Sequence, residues 1–333
     1  MKHMIATCVG ASLLALAGCT AQGGGSQVFR TPEGALMDVD ANLRYKPGQL
    51  TPQQITSSTR ELMAMDAMNV FRRFPPAVTE QMVRFYTGAL GLRSLSPIQL
   101  TNTQQMILTG VGQGQIKLAA GQQGDRTYAL QGGPTGGKGI RFFTLAFPDK
   151  QTVLDRFAAA GFPAPSFSAQ GDGTEAALVD DPGGFPVQVV IRAGAKPNGD
   201  DGVGVGINVT DLAQSRAFYR EFVGLDELPA IEDRLLGITK YPYRNGETTL
   251  YLYDSGPDQP VDTGSAGIQY VVRDAAMVEA KREPRNIAVL TPLNKMRGFD
   301  LTTVWLADPD GVTNYFAQVG PNSRTAQQAG AGN

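Results

Sequence analysis

Short runs of branched and aromatic residues alternate with glycine- and proline-rich turns along most of the chain, and helix-like periodicity interrupts them. Runs bounded by turn residues predict strands, whereas apolar residues three or four apart predict amphipathic helices. The first half predicts the following elements: strand 67–74, helix 77–90, strands 106–110 and 115–119, strand 140–147, helix 150–160, and strands 176–179 and 185–191.

Two landmarks of this pattern recur in the same order further along the chain. Phe85-Tyr86 followed by Gly91 returns as Phe218-Tyr219 followed by Gly224. The aromatic pair gives a helix an apolar face, and a glycine is typical of the position after a helix end. The turn Asp181-Pro-Gly-Gly returns as Asp308-Pro-Asp-Gly. The repetition predicts a duplicated domain, with copies at residues 65–195 and 200–320.

Each copy is also doubled internally. In the second copy, Asn245-Gly246 separates the apolar runs 238–244 and 248–253, which predicts a hairpin. The unit is β-α-β-β-β, and it occurs four times. The fold class predicted from the sequence is therefore α+β with four tandem βαβββ modules.

The N-terminus has the features of an export signal. A charged start precedes an apolar run over residues 4–17, which is too short to be a permanent membrane span. The run ends in Leu16-Ala17-Gly18-Cys19, which resembles a bacterial lipobox. The resemblance implies cleavage after residue 18 and a lipid on Cys19. An ordinary secretory signal that ends at a cysteine is the alternative.

The predicted lipidation places the protein in the cell envelope, attached to a membrane through its N-terminal lipid. Thr20 stands where an Asp would resemble an inner-membrane retention signal, which favours the periplasmic side of the outer membrane in a Gram-negative cell. Residues 19–64 are expected to be a tether and an extension that follows the surface over 27–49 and contains a helix from Thr51 to about Met65. Residues 321–333 are expected to be a disordered tail.

Composition and charge exclude several functional classes. The 333 residues carry 29 Lys and Arg against 31 Asp and Glu, so no basic surplus is available to bind nucleic acid. Cleavage after residue 18 would remove Cys8 and His3, the latter being the single histidine. Catalysis by a Ser-His or Cys-His pair is then excluded. No disulfide would form either, since Cys19 would carry the lipid.

The repeated segments resemble the vicinal-oxygen-chelate superfamily, which includes glyoxalase I, extradiol dioxygenases and the bleomycin- and fosfomycin-resistance proteins. The resemblance is strongest over residues 208–219 and 223–225, with support from Phe157 to Gly161 and the two Asp-Pro-x-Gly turns. It implies that pairs of modules curl into open barrels whose concave faces hold a ligand, giving two barrels here. We expect consecutive modules to share a barrel. Because the two domains can pair within one chain, a monomer is plausible.

In this superfamily a divalent metal is held by His and Glu at fixed strand positions. The matching positions of this sequence are Phe71, Lys117, Phe143, Gln188, Gly204, Tyr251, Ile268 and Tyr315. None is a His, Cys or carboxylate, and a lysine would repel a cation. The resemblance therefore predicts no metal site and no cofactor.

Polar and aromatic residues remain as candidates for binding a small organic molecule. Lys117, Gln188 and Arg141 are predicted to line the first barrel, which favours an anionic or carbonyl-rich ligand. Tyr251, Tyr315 and Tyr270 are predicted to line the second, which favours a flat or apolar one. The alternative is that these side chains only fill space. The lone Trp305 is open to both interpretations.

The predicted function is metal-independent binding of a small molecule, by a binding protein or by a lyase or isomerase. A metal-dependent lyase or dioxygenase that uses unrecognised carboxylate ligands is the alternative, and the sequence leaves enzyme activity open. Because lysine and tyrosine have reference pKa values near 10, binding is expected to change little between pH 6 and 8.

Overall fold

The computed structural model describes residues 27–30, 36–100, 105–122 and 126–321. The predicted signal peptide, Cys19 and the start of the tether lie outside the described residues, as does the predicted tail beyond residue 321. None of the helices in the described ranges is long and apolar enough to span a membrane.

The described residues form two mixed sheets built from short strands. The strands are β1 (Gln27–Arg30), β2 (Leu36–Val39), β3 (Asn69–Phe74), β4 (Arg93–Gln99), β5 (Gln105–Val111), β6 (Gly114–Ala120), β7 (Lys138–Phe147), β8 (Ser168–Ala169), β9 (Glu175–Asp180), β10 (Pro186–Ile191), β11 (Gly204–Asn208), β12 (Asp226–Glu227), β13 (Ile231–Asp233), β14 (Ile238–Asn245), β15 (Thr248–Tyr253), β16 (Val261–Asp262), β17 (Ala266–Val272), β18 (Val289–Met296), β19 (Leu301–Ala307) and β20 (Thr313–Val319).

The α-helices are short. They are α1 (Pro52–Thr56), α2 (Thr79–Val83), α3 (Lys150–Ala159), α4 (Leu212–Arg216) and α5 (Ala275–Arg282). Helix α1 precedes the first module, and each of the other four lies between the first and second strand of a module. Helices α2 and α4 continue into π-helical segments at Arg84–Ala89 and Ala217–Val223. A glycine with a positive φ follows each of these segments, with 67° at Gly91 and 88° at Gly224. Residues with a side chain rarely adopt this conformation.

Four modules of the predicted β-α-β-β-β order are present, which confirms the α+β fold class. Module one starts at β3, module two at β7, module three at β11 and module four at β17. In every module the first strand pairs in parallel with the last, as Val70 does with Ile116, and the strands between them add outwards in antiparallel pairs.

The pairing of modules differs from the prediction. Strand β17 pairs with β3, so modules one and four share the first sheet, and β11 pairs with β7, so modules two and three share the second. The prediction that consecutive modules share a barrel is wrong. Consecutive modules instead pack back to back, with the Phe85 ring of module one 5.9 Å from the Phe157 ring of module two. The first strands of two consecutive modules therefore belong to different sheets.

The repeated sequence landmarks contact one another in the structure. The Tyr86 hydroxyl donates to Asp181 at 3.2 Å, and the Tyr219 hydroxyl donates to Asp308 at 2.7 Å. In both cases the helix of an odd-numbered module is fastened to the Asp-Pro-x-Gly turn of the module that follows. The two copies of the duplication therefore repeat a long-range contact as well as a sequence.

The N-terminal extension departs from its prediction in two ways. Thr51 caps α1 with a capping box as its sequence indicates, but the helix ends at Thr56 instead of continuing to Met65. The next three residues are Ser and Thr, whose hydroxyls compete for hydrogen bonds with the backbone, and the Thr59 hydroxyl donates to the carbonyl of Val223. Within residues 27–49, strand β2 pairs with the edge strand β18. Local sequence patterns do not predict this long-range pairing.

Candidate functional site

The concave face of the first sheet carries a cavity whose wall is mostly apolar. Strands from both modules contribute alternate residues to it, as expected from the two-residue side-chain period of a strand. The lining residues are Met37, Asn69, Phe71, Arg73, Ile98, Leu100, Met106, Lys117, Ala119, Gln269, Val271, Met296, Phe299, Leu301, Trp305, Tyr315 and Val319.

Three polar side chains meet at the junction of modules one and four. The Lys117 ammonium donates to Gln269 Oε1 at 2.5 Å, and Asn69 Nδ2 donates to the same oxygen at 3.0 Å. All three residues are buried. The junction is possible because β3 and β17 are antiparallel neighbours, with Asn69 opposite Gln269.

Burial lowers the pKa of Lys117 to about 8. An ammonium in an apolar wall loses hydration that one amide oxygen does not replace, so its neutral form is favoured. The expectation of pH-independent binding between pH 6 and 8 therefore fails for this lysine, because its titration begins within that range.

Two further polar atoms of the cavity wall are buried and have no hydrogen-bond partner in the described structure. They are Asn69 Oδ1, an acceptor, and Trp305 Nε1, a donor. The indole packs against Tyr315, with 5.0 Å between ring centroids. Buried polar atoms are normally paired, so both atoms are exceptions to the rule. Trp305 belongs to the cavity wall, as expected if it faces the pocket.

Two cationic side chains belong to the cavity wall. Arg73 lies with its guanidinium carbon 4.5 Å from the centroid of the Phe71 ring, and Lys117 belongs to the same wall. None of the described lining residues is Asp or Glu. The Phe71 ring itself fits only because Gly267 faces it, since a Cβ there would lie 1.9 Å from the ring.

The second sheet has a more polar groove, and its central charges neutralise each other. Lys240 donates to Asp233 at 2.8 Å, and Gln188 donates to the same carboxylate at 2.6 Å. The Lys240 ammonium also lies 4.5 Å from the centroid of the Tyr251 ring. Two of the predicted site residues, Gln188 and Tyr251, line this groove. The buried side chains of Lys240, Asp233 and Gln188 already form hydrogen bonds with one another.

The predicted site residues are thus distributed differently from their prediction. Lys117 and Tyr315 share the cavity of the first sheet, and Gln188 and Tyr251 share the groove of the second. Each pair joins residues that were assigned to different barrels. The cause is again the pairing of module one with four and of module two with three.

Arg141 and Tyr270 line neither concavity. Arg141 donates to backbone carbonyls of the loop before β7, including Gly133 at 2.8 Å and Ala129 at 2.5 Å, and so holds this loop. Tyr270 donates to Asn314 at 3.0 Å and stacks on Phe316 in the core. In β17 the odd-numbered neighbour, Gln269, faces the cavity, and Tyr270 faces the opposite side.

The sequence analysis missed Asn69, Arg73, Gln269, Asp233 and Lys240. A single residue of register hid Gln269, because the position matched to the family was Ile268, which is buried in the core. The same slip chose Phe143 in place of Thr144, which lines the groove. Strict alternation along β17 and β7 was the signal available, since neighbouring residues face opposite sides.

The residues now found at the family's metal positions in the first sheet do not fit a divalent cation. They are Phe71, Lys117, Gln269 and Tyr315, which offer one amide oxygen, one phenol and an ammonium group. In the described residues no group of three or more His, Cys, Asp or Glu side chains is placed to hold a metal.

Comparison with known proteins gives matches in structure alone. No family model matches the chain, and neither does any curated protein. Glyoxalase I from Zea mays superposes with a TM-score of 0.61 at 18% identity, covering 76% of this chain and 92% of that one. A protein from Bacillus subtilis provisionally designated a dioxygenase gives a TM-score of 0.57 at 14% identity, covering 82% and 91%. The chain has the vicinal-oxygen-chelate fold.

Proposed function

We propose that the protein binds a small organic molecule in the cavity of the first sheet, without a metal. The observation that carries the proposal is the buried ammonium of Lys117 in a wall that is mostly apolar and has no Asp or Glu among its described lining residues. A ligand with an aromatic or aliphatic body and a carboxylate or carbonyl group would match it. Burial of the body contributes about 25 cal/mol per Å², and the polar group orients the molecule.

Calorimetry with two ligands of the same size tests the charge requirement. Benzoate carries the carboxylate, and benzyl alcohol is its neutral match. We expect benzoate to bind more tightly, and Lys117→Met to weaken benzoate at least tenfold while leaving benzyl alcohol nearly unchanged. Lys295→Met is the matched control, since Lys295 lies exposed on β18. Benzoate affinity should be highest below pH 8 and fall above it, because the ammonium deprotonates there.

Chelation separates this function from a metal-dependent lyase or dioxygenase of the same superfamily. Binding by lysine and arginine should survive exhaustive chelation. Affinity that is lost with chelator and restored by an added divalent metal would support the metal-dependent alternative. Equal affinity for benzoate and benzyl alcohol in the wild type would contradict the proposed role of the cations.

We also propose that the protein is a lipoprotein of the cell envelope, with Cys19 as the attachment site. The support is the sequence Leu16-Ala17-Gly18-Cys19 after an apolar run. Cys19→Ser should abolish incorporation of labelled palmitate and move the protein from the membrane to the soluble fraction. Retention of the label in this variant would place the lipid elsewhere.

A further inference from the structure

Lys117 differs from the other buried lysines in the part of the chain that the structure describes. Lys138, Lys240 and Lys281 each donate to a carboxylate, at 2.8 Å to Asp254, 2.8 Å to Asp233 and 2.9 Å to Glu61. Lys117 is buried to a similar extent, yet the partner of its ammonium is the neutral amide of Gln269. Three of these lysines are structural ion pairs, and the fourth faces a cavity.

We propose that Lys117 is a carbonyl-reactive nucleophile whose amine forms a reversible imine with an aldehyde or ketone that enters the cavity. This inference rests on the proposed function, because it takes the cavity of the first sheet as the ligand site. It adds the chemical class of the ligand and a covalent step that the fold alone does not provide.

The position of the amine suits this chemistry. Lysines that react with carbonyl groups lie in apolar pockets, where desolvation keeps part of the population neutral. With a pKa of about 8, about a tenth of Lys117 is neutral at pH 7, roughly two orders of magnitude more than an ordinary lysine. Gln269 Oε1 accepts a hydrogen bond from the nitrogen without neutralising its charge, so it orients the amine and stabilises the ammonium less than a carboxylate would.

The reaction balances without a further reactant. The lone pair of neutral Nζ attacks the carbonyl carbon, a C–N bond forms, and the carbonyl oxygen takes up a proton to give a carbinolamine. The hydroxyl group then leaves as water with the remaining N–H proton, and a C=N bond forms. Water leaves into the cavity, whose wall also includes Trp305.

Reductive trapping tests the imine. The full protein is incubated with benzaldehyde and sodium cyanoborohydride at pH 7, and the benzylated lysines are mapped by peptide mass spectrometry. We expect Lys117 to be labelled at least tenfold faster than the exposed residues Lys46 and Lys295. Benzoate should compete, since it occupies the same cavity and favours the ammonium.

Two variants of Gln269 test the role of the partner. Gln269→Glu places a carboxylate beside the amine, raises its pKa and should slow labelling at pH 7 at least tenfold, with recovery near pH 10. Gln269→Met removes the orienting hydrogen bond without adding a charge, so it should slow labelling at pH 7 less than Gln269→Glu does and should show no selective recovery near pH 10. This contrast would not arise from a merely structural role of Gln269.

The outcomes distinguish this inference from the proposed function. If benzoate binds but Lys117 is labelled no faster than Lys46, or if Gln269→Glu is labelled as fast as the wild type at pH 7, the imine is overturned and the binding function stands. If neither benzoate nor benzaldehyde binds in calorimetry and no lysine is labelled selectively, the proposed function falls and this inference falls with it.

Discussion

Asp181 and Asp308 occupy equivalent turns of the duplicated copies but have different partners. Asp181 accepts from Arg72 at two points, 2.9 and 3.1 Å, as well as from Tyr86. Asp308 accepts from Tyr219 and from backbone amides, and none of the described residues forms an ion pair with it. Burial raises the pKa of Asp308 to about 7. The two equivalent aspartates therefore differ in their surroundings: Asp181 is paired with a cation, whereas the donors to Asp308 are neutral.

The two aspartates predict opposite effects of amide substitution on stability. The folded state holds the Asp308 proton more tightly than the unfolded state, so stability should fall as the pH rises from about 4 to 7, by up to about 4 kcal/mol, and then level off. Asp308→Asn should remove this slope. Asp181→Asn leaves the buried Arg72 without its counter-charge and should cost about 3–5 kcal/mol.

Urea unfolding at several pH values between 4 and 8 measures both effects. The Asp308→Asn curve should be flatter than that of the wild type, and the Asp181→Asn protein should be less stable than the wild type at pH 7. A wild-type stability that rises between pH 4 and 7 by an amount traceable to Asp308 would contradict the assignment.

At the scale of elements, strand β2 covers one side of the cavity. Met37 is fully buried against Met296 and Trp305, and Asp38 is joined to Arg297 at 2.7 Å beyond the end of β18. An extension that lies outside the four modules therefore contributes a wall residue to the candidate site. This strand was not predicted, because its pairing partner lies more than 250 residues away.

Removal of this strand should expose the indole. A chain that starts at residue 40 should show red-shifted emission of Trp305 and several-fold faster quenching by acrylamide, because the side chain that covers the ring is lost. Trp305 is the only tryptophan of the sequence, so the signal has a single source. Met37→Leu keeps an apolar cover and should behave like the wild type. Unchanged quenching in the shortened chain would show that β2 does not cover the cavity.

At the scale of the whole molecule, each concave face is shared between the two copies. Asn69, Phe71 and Lys117 come from the first copy, whereas Gln269 and Trp305 come from the second. The copies therefore relate to each other as two subunits of a dimer would, with both sites formed where their first strands meet. Covalent linkage in one chain keeps the halves together at any concentration.

Separate expression of residues 65–195 and 200–320 tests this arrangement. Each fragment holds half of each sheet, so the cavity should be absent from both and should form when they are mixed. We expect Trp305 emission of the second fragment to shift to shorter wavelength on addition of the first, with restoration of benzoate binding. An emission already at the wild-type wavelength in the isolated second fragment would contradict the observed module pairing.

The sequence by itself determined the local order of the molecule. Apolar periodicity predicted the strands and most helices, and Thr51 and the Asp-Pro-x-Gly turns predicted a cap and two turns. The repeated Phe-Tyr landmarks predicted a duplicated domain, and the order of elements within each copy predicted four modules. These features depend on residues close together in the chain, where backbone propensity and side-chain period act directly. Lys117 and Tyr315 were identified in another way, since they occupy strand positions that match the metal ligands of the superfamily that the sequence resembles.

Only the tertiary structure decided which modules pair and which side chains meet. The first strands of all modules have similar apolar patterns, so nothing local distinguishes β17 from β7 as the partner of β3. Modules one and two pack back to back, as the contact of Phe85 with Phe157 shows, and β3 pairs with β17 of module four. This pairing brings Lys117 to Gln269, 152 residues away. The charge state of Lys117 depends on this tertiary contact, because burial lowers its pKa and its partner in the fold is a neutral amide.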